Sequence, residues 1–320
     1  MTKKLISVVI PMYFEEAVAE ECYQRLTKVM VELERDYQYE LVFVNDGSTD
    51  RTLEILTKIA AKDQHVRVLS FSRNFGHQIA VTAGVDRARG AAVVIIDADL
   101  QDPPELILEM IKLWQQGYEV VYAKRKKREG ETWFKLITAK YFYRILAKLT
   151  EVNIPTDTGD FRLLDRKVVE VLKQMPERNR FLRGMVSWVG FKQIPLEYER
   201  KERFAGETKY PLKKMLKFAF DGIYSFSTKP VKYFQTLGVF LVLVAVVDFL
   251  GMLLGQLVAG NAFNGWSVVI LLLIFFSGVQ LIALGVMGEY LTRIYEESKD
   301  RPLYIIDIEL EHGKVVETKE

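Results

Sequence analysis

AAVVIIDADLQD, residues 91–102, places six apolar residues directly before a segment with three aspartates. A continuous apolar run without polar alternation is typical of a strand that is buried on both faces of a parallel sheet. The change to Asp97 marks the point where this strand ends. We therefore expect Asp97 and Asp99 at the carboxyl edge of a sheet, which is where open α/β sheets bind ligands.

The segments around this stretch repeat the same pattern of a short β-branched run followed by ten or more residues with helical periodicity. The other runs are LISVVI (5–10), ELVFVN (40–45), VRVLSF (66–71) and EVVYA (119–123). Alternation of this kind predicts an α/β fold with a mostly parallel sheet and crossover helices. The residues at and after the strand ends should then meet at one edge, and the candidate site residues among them are Pro11, Tyr13, Glu15 and Asp46.

Asp97 and Asp99 are candidate metal ligands. Two carboxylates one residue apart can reach one hard cation, and Mg²⁺ and Mn²⁺ prefer oxygen ligands. An acidic turn that caps a helix beginning at Pro103 is the alternative, and the position at the sheet edge favours the cation. The glycine patterns of dinucleotide-binding and P-loop proteins are absent from the sequence, so neither chemistry is indicated.

Composition narrows the class of protein. The net charge is only +2, which does not suggest a nucleic-acid partner. A single cysteine, Cys22, excludes an intrachain disulfide and agrees with a reducing compartment. The amino-terminal segment is too strand-like for a signal peptide, so we expect most of the chain in the cytoplasm. The three histidines, His65, His77 and His312, are too scattered for a zinc site and are interpreted as structural. For His77, which follows Phe75 and Gly76 at a strand-to-helix turn, a contact with the donor site is the alternative.

Two apolar segments, 236–260 and 266–288, are long enough to cross roughly 30 Å of hydrocarbon. The connector around Asn261 carries no charge, whereas basic residues flank the pair, so both termini should face the cytoplasm. Asp248 falls inside the first span, and we expect it to be protonated and bonded to Ser277 or Gln280. The predicted organisation is a catalytic domain over 1–228, a transmembrane hairpin over 229–291 and a cytoplasmic tail over 292–320.

Two basic amphipathic stretches, residues 132–149 and 211–226, lie outside the predicted sheet. They are either surface helices that pack on the sheet or helices that lie in the membrane interface. The neighbouring apolar segments favour the interface. The basic run Lys124 to Arg128 has two open interpretations as well, namely attraction to anionic lipid head groups and specific phosphate binding.

Six ordered motifs resemble the inverting GT-A glycosyltransferases of family 2, and most closely their polyprenyl-phosphate branch of bactoprenol glucosyltransferases and dolichol-phosphate mannose synthases. The motifs are SVVIPMYFEE, FVNDGSTDRT, SFSRNFGHQIAVTAG, DADLQDPPE, TGDFRLLDR and RFAGETKYPLKKML. The resemblance covers essentially the whole chain. It implies a GT-A, Rossmann-like fold with a two-helix membrane hairpin.

The resemblance also implies roles for residues of the donor site. The residues expected to hold the nucleotide base and ribose are Pro11, Tyr13, Glu15 and Asp46. Asp97 and Asp99, with Ala98 between them, are expected to bind Mg²⁺ or Mn²⁺ on the diphosphate, with Gln101 as a further ligand. Arg203 and Lys209 are expected to close over the donor phosphates and assist departure of the leaving group.

On the acceptor side, the resemblance implies that Arg125, Lys135 and Thr138 meet a lipid phosphate. The motif DTGDFRLLDR offers Asp157 and Asp160 as the acceptor-side carboxylate, and Asp157 matches the position of a catalytic base best. A phosphate monoester has a second pKa near 6, so the acceptor is already mostly an anion at neutral pH. We therefore expect Asp157 mainly to orient the acceptor.

The expected reaction is transfer of one hexose, glucose from UDP-glucose, to undecaprenyl phosphate at the cytoplasmic face of the inner membrane. A mannose synthase that uses GDP-mannose is the nearest alternative. A processive synthase would need a Q-x-x-R-W motif, which is not visible. A non-catalytic membrane scaffold with a transferase fold is the alternative from another class. The sequence leaves a homo-oligomer open.

Overall fold

A computed structural model describes residues 3–126, 155, 158–199 and 265–316, together with scattered positions between 231 and 250. The predicted amphipathic helices at 132–149 and 211–226 lie outside the described residues, as does Asp248.

The described residues form a nine-stranded sheet in the order β7-β5-β6-β4-β1-β2-β3-β8-β9, with helices between the strands. The strands are β1 (Lys4–Met12), β2 (Tyr37–Asn45), β3 (Val66–Phe71), β4 (Ala92–Ile95), β5 (Val120–Arg125), β6 (Thr158–Asp165), β7 (Gln193–Tyr198), β8 (Ile306–Glu311) and β9 (Lys314–Val316). The helices are α1 (Ala19–Leu33), α2 (Thr52–Ala60), α3 (His77–Arg87), α4 (Leu106–Gln115), α5 (Arg166–Gln174), α6 (Leu182–Trp188) and α7 (Trp266–Ser298).

The centre of the sheet is the parallel unit β4-β1-β2-β3, as the apolar runs predict. Side chains of β1 alternate between two separate cores, one on each face of the sheet. Val8 and Ile10 belong to one core and Val9 belongs to the other, and all three are fully buried. Both faces of these strands therefore need apolar residues, which explains the absence of polar alternation.

The rest of the sheet departs from the simple parallel pattern. The predicted strand EVVYA forms as β5, but β6 lies between it and β4 and is antiparallel to both. β7 then pairs in parallel with β5 at the edge. The sequence identified the segment of β6 as a motif and not as a strand, because its charged residues interrupt the apolar run. Two of them, Asp160 and Arg162, are buried in the structure.

The carboxyl-terminal segment is part of the sheet. The sequence assigned residues 292–320 to a tail, yet this range contains the end of α7 and strands β8 and β9. Strand β8 pairs antiparallel with β3. The alternating acidic residues of β8 made this segment look like a charged tail. In the structure, Glu309 pairs with Arg67 and Arg87, and Glu311 pairs with Arg89, all of which are distant in sequence.

Helix α7 contains the second predicted span. Within the described residues, the segment Phe275–Ser298 is long and apolar enough to cross a membrane, and none of it is buried against the protein. The first predicted span, 236–260, lies mostly outside the described residues; the positions described there are helical.

A buried ion cluster joins β8 to the parallel strands. Arg67 of β3 donates to Glu40 of β2 at 3.1 Å and to Glu309 of β8 at 3.0 Å. All three side chains are less than 9% exposed. Removing one partner of a buried ion pair is strongly destabilising, since it leaves a charge without compensation.

Replacing Arg67 with methionine should therefore lower the free energy of unfolding by about 3–5 kcal/mol. Urea denaturation of the full chain in detergent, followed by tryptophan fluorescence, measures the change. The control is Lys58→Met, which removes an exposed pair with Glu54 and should cost no more than about 0.5 kcal/mol. Equal losses in both variants would show that the buried cluster does not stabilise the sheet.

Candidate active site

The strand ends that carry the predicted site residues meet at one edge of the sheet. The N–H of Asp46, directly after β2, donates to the carbonyl of Met12 at the end of β1 at 2.9 Å. The N–H of Ile96, after β4, donates to the carbonyl of Val9 at 3.1 Å. Asp46 and Asp97 thus lie on the two sides of β1, whose own end includes the buried Pro11.

The segment after β1 is held against the turn that follows β2. The N–H of Phe14 donates to Ser48 Oγ at 3.1 Å, and the N–H of Glu15 donates to Thr52 Oγ1 at 3.0 Å. Tyr13 remains 38% exposed beside Phe14, with ring centroids 4.4 Å apart. These contacts leave two aromatic side chains at the surface next to the strand ends, where a planar ring could stack.

The Asp46 side chain makes hydrogen bonds to three residues of the loop that precedes α3. Its side chain accepts hydrogen bonds from Asn74 Nδ2 at 2.9 Å, the Phe75 N–H at 2.7 Å and the Gly76 N–H at 3.0 Å. Asp46 is only 2% exposed, and this burial raises its pKa although the two backbone N–H groups oppose the rise. The Asp46 carboxylate thus holds the loop before α3, and its contact with a base or ribose stays a prediction.

Gly47 allows this loop to pack closely. It has φ +64°, and a Cβ atom there would lie 2.5 Å from Asn74 N, in contact with the backbone of Arg73 as well. Glycine is required here for both conformation and space. The turn after β2 and the loop after β3 therefore form one tightly packed wall of the site.

Asp97 has an oxygen that suits a metal ion. Its Oδ1 is inaccessible to solvent and has no hydrogen-bond partner, although about a third of the whole side chain is exposed. Burial raises the pKa of Asp97 to about 6, while nearby His77 acts in the opposite direction. A buried carboxylate oxygen without a donor is a group that a bound cation would stabilise.

Asp99 follows in a tight turn. Its Oδ1 accepts from the N–H of Gln101 at 3.1 Å, and Leu100 between them has φ +57°. Among the described residues, no group of three or more His, Cys, Asp or Glu side chains could hold a metal ion. A cation held by Asp97 and Asp99 would have to take its remaining ligands from outside this set of side chains.

Asp160 connects several elements beside Asp97. It accepts from Gln78 Nε2 at 3.0 Å and from Arg183 Nε at 2.8 Å. His77 Nε2 lies 3.1 Å from Asp160 Oδ2 and 3.6 Å from Asp97 Oδ1. His77, which the sequence treated as structural, therefore stands between the two carboxylates.

The charges of this cluster support one another. Burial alone would lower the pKa of His77, but Asp160 and Asp97 outweigh it and raise the pKa to about 9. Burial would raise the pKa of Asp160, but Arg183 and His77 hold it well below its usual range. Asp160 is therefore an anion, and both of its carboxylate oxygens contact side chains of the protein.

A second cluster lies next to Gly159, the residue before Asp160 in β6. Tyr198 donates its hydroxyl proton to Asp102, and Arg125 Nε donates to the same hydroxyl oxygen at 3.3 Å. Arg125 is the residue that the sequence assigned to the acceptor phosphate. The remaining predicted site residues lie outside the described residues: Lys135, Thr138, Asp157, Arg203 and Lys209.

Sequence reasoning missed the roles of Asp102, His77, Arg183 and Tyr198 in these clusters. Arg183 and Tyr198 lie far from the strand-end motifs along the chain, and no spacing rule connects them to Asp160 or Asp102. The only available signal was at His77, which follows the predicted strand 66–71 at a turn into a helix.

The Glycosyl transferase family 2 profile matches residues 7–173, which is more than half of the chain. The chain belongs to glycosyl transferase family 2. Its fold is a GT-A-like α/β fold, and the protein is a glycosyltransferase.

Relatives match this transferase over nearly their whole length. The glycosyltransferase YkcC of Bacillus subtilis (strain 168) is 56% identical over 94% of this chain and 92% of its own. The prophage bactoprenol glucosyl transferase homolog of Escherichia coli (strain K12) is 43% identical over 94% of this chain and 98% of its own. The bactoprenol glucosyl transferase of Shigella phage SfV is 43% identical over 94% and 97%.

The close packing at Gly47 can be tested against a matched glycine. Gly117 also has positive φ, but a Cβ there would have nothing within 4 Å. Gly117→Ala should cost about 1–2 kcal/mol of unfolding free energy through backbone strain alone. Gly47→Ala should cost about 1–3 kcal/mol more because the methyl group overlaps the loop at Asn74.

Urea denaturation measures both costs, and hydrogen exchange of residues 73–76 reports the loop directly. Exchange there should rise in Gly47→Ala and stay at the wild-type level in Gly117→Ala. Unchanged exchange in both variants would mean that Gly47 does not set the loop.

Proposed function

We propose that this transferase moves one hexose, glucose from UDP-glucose, to a polyprenyl phosphate with inversion at the anomeric carbon. The observation that supports this most is the similarity to bactoprenol glucosyl transferases at 43% identity over 94% of the chain. Similarity of this extent includes the predicted membrane segments, 236–260 and 266–288, as well as the sheet. A polyprenyl acceptor therefore agrees with the whole chain and not only with the catalytic fold.

The donor occupies the edge of the sheet in this proposal. Pro11, Tyr13, Glu15 and Asp46 hold the base and ribose, and the Asp46 carboxylate also holds the loop before α3. Asp97, Asp99 and Gln101 would hold Mg²⁺ or Mn²⁺, and Ala98 belongs to the same donor-binding segment. When bound, the cation neutralises the diphosphate and makes it a better leaving group.

The acceptor phosphate is already a nucleophile at neutral pH, because its second pKa is near 6. One of its oxygens forms a bond to the anomeric carbon as the bond from that carbon to the diphosphate oxygen breaks. The electron pair of that bond leaves with the nucleoside diphosphate. Because the acceptor phosphate is already ionised, no proton has to be removed from it first. Asp157 orients the acceptor in this proposal, and Arg203 with Lys209 stabilises the departing charge.

The membrane part explains how the acceptor reaches the site. A polyprenyl chain stays in the bilayer, so the phosphate must be met close to the surface. We propose two spans, 236–260 and 266–288, with the sheet and both termini in the cytoplasm and helices 132–149 and 211–226 in the interface. Arg125, Lys135 and Thr138 then face the phosphate from the side nearest to the membrane.

A panel of radiolabelled donors tests the proposal. The full chain, in nanodiscs with undecaprenyl phosphate and Mg²⁺ or Mn²⁺, should transfer label from UDP-glucose into the lipid fraction. Transfer from GDP-mannose should be at least about tenfold slower in kcat/KM, since a site that hydrogen-bonds uracil and the glucose hydroxyls leaves those groups unpaired with another base and sugar. Faster transfer from GDP-mannose, or none from any donor, would contradict the proposed donor.

Asp97→Asn tests the metal-binding carboxylate. It should lower kcat/KM for glucose transfer by about 100-fold or more, because a ligand charge next to the diphosphate is lost. Mn²⁺ binding in the presence of UDP, followed by electron paramagnetic resonance, should weaken in the same variant. Glu54→Gln, at a half-exposed carboxylate on α2, is the control and should change neither quantity. Wild-type Mn²⁺ binding in Asp97→Asn would remove Asp97 from the metal site.

A further inference from the structure

Strand β7 brings Tyr198 beside Arg125. The two strands pair in parallel, with Arg125 opposite Tyr198 and Lys124 opposite Glu197. The N–H of Lys126 donates to the carbonyl of Tyr198 at 2.9 Å, so the pairing continues past the end of β5. The backbone therefore fixes these two side chains next to each other.

A chain of hydrogen bonds connects Arg125 to the segment that carries the metal-binding carboxylates. Arg125 Nε donates to Tyr198 Oη at 3.3 Å, and the Tyr198 hydroxyl donates to Asp102 Oδ1. Asp102 is 1% exposed and Tyr198 is 5% exposed. The donor directions are consistent along the chain, because a tyrosine hydroxyl can accept one hydrogen bond while it donates another.

The tyrosine remains a donor under working conditions. Burial, and then the charge of Asp102, raise the pKa of Tyr198 above its usual value. The Tyr198 hydroxyl therefore stays protonated and continues to donate its hydrogen bond to Asp102. This buried aspartate lies three positions after Asp99 in the chain, so the contact reaches the turn that holds the candidate metal ligands.

Gly159 at the start of β6 leaves room for this arrangement. A Cβ atom there would lie 3.2 Å from Arg125 Nη2 and 3.7 Å from Asp102 Oδ2. The guanidinium and the carboxylate both approach the backbone immediately before Asp160. The acceptor-side arginine and the donor-side turn thus meet at one point of the sheet edge.

We propose that Tyr198 is a positioning residue for the acceptor phosphate, because it holds the Arg125 guanidinium in a fixed orientation relative to the segment from Asp97 to Asp102. This inference rests on the proposed function, in which Arg125 meets that phosphate. An arginine that is already oriented loses less rotamer freedom when it binds, and its planar group recognises phosphate only in the correct plane. Tyr198 acts through Arg125 and does not touch the substrate.

Tyr198→Phe is the primary test, because it keeps the ring and removes only the hydroxyl. KM for undecaprenyl phosphate should rise about tenfold, the order of effect expected from losing one hydrogen bond to a charged group. KM for UDP-glucose should remain within about twofold of the wild type, since the donor site is built by other residues. A purely structural role would lower activity or stability without this selectivity for the acceptor.

Tyr23→Phe is the matched control. Tyr23 Oη donates to Asp63 Oδ2 at 3.0 Å, which is the same pair of residue types in front of the amino end of β3 and not at the carboxyl ends of the strands. This variant should leave both KM values unchanged. An equal rise of acceptor KM in Tyr23→Phe would show that the effect at Tyr198 is general destabilisation, and the proposal would fail.

Two further variants keep the test decisive if Tyr198→Phe folds poorly. Gly159→Ala keeps Tyr198 and Asp102 but crowds Arg125 Nη2, so it should raise acceptor KM selectively as well. Arg125→Lys keeps the charge and removes the Nε donor, and adding Tyr198→Phe to it should cause no further rise. Non-additivity of this kind is expected for residues that act as one unit.

Each result separates the inference from the proposed function. No transfer to polyprenyl phosphate by the wild type would contradict the proposed function. Transfer by the wild type, with unchanged acceptor KM in both Tyr198→Phe and Gly159→Ala, would contradict only the role of Tyr198. Additive effects of Tyr198→Phe and Arg125→Lys on acceptor KM would also overturn it.

Discussion

The carboxylate of Asp160 is the interaction on which the site depends. It is 5% exposed and joins β6 to the first residues of α3, through Gln78, and of α6, through Arg183. A buried carboxylate without partners would be costly, so these elements must come together for any of them to be stable in this position. His77 is thereby fixed between Asp160 and Asp97. Asp97 at the end of β4 therefore lies next to side chains whose positions are set by other contacts.

The sequence predicted the parallel half of the sheet and not the other half, for a physical reason. Strands β1 to β4 lie between two apolar cores, so their residues carry the signal locally. Strands β6 and β8 contain buried charged residues, such as Arg162 and Glu309. In a sequence, charged residues at these positions are typical of an exposed segment and not of a buried strand. The buried charge of Glu309 is compensated by ion pairs with Arg67 and Arg87. No local pattern reports a partner that is 242 positions away in sequence.

The candidate site divides in the same way. Asp97 and Asp99 were predictable because an apolar strand ends directly before them and parallel strands end at one edge. Asp46 was placed correctly at that edge, but its carboxylate turns toward Asn74 and the backbone before α3, which a strand-end rule does not reveal. Tyr198 was not predictable, because it comes from an edge strand whose pairing with β5 is set by tertiary packing. Sequence therefore locates the site, and the structure shows how its side chains are supported.

The most direct measurement of the central claim is the structure of the reaction product. Full-length protein in nanodiscs is supplied with UDP-glucose labelled at C1 with ¹³C and with undecaprenyl phosphate, and the lipid product is analysed by mass spectrometry and NMR. The account predicts one glucose per lipid, joined through phosphate to C1 in the β configuration, because a single displacement inverts the α-linked donor. An α-linked product, a longer sugar chain or the absence of a lipid product would contradict it.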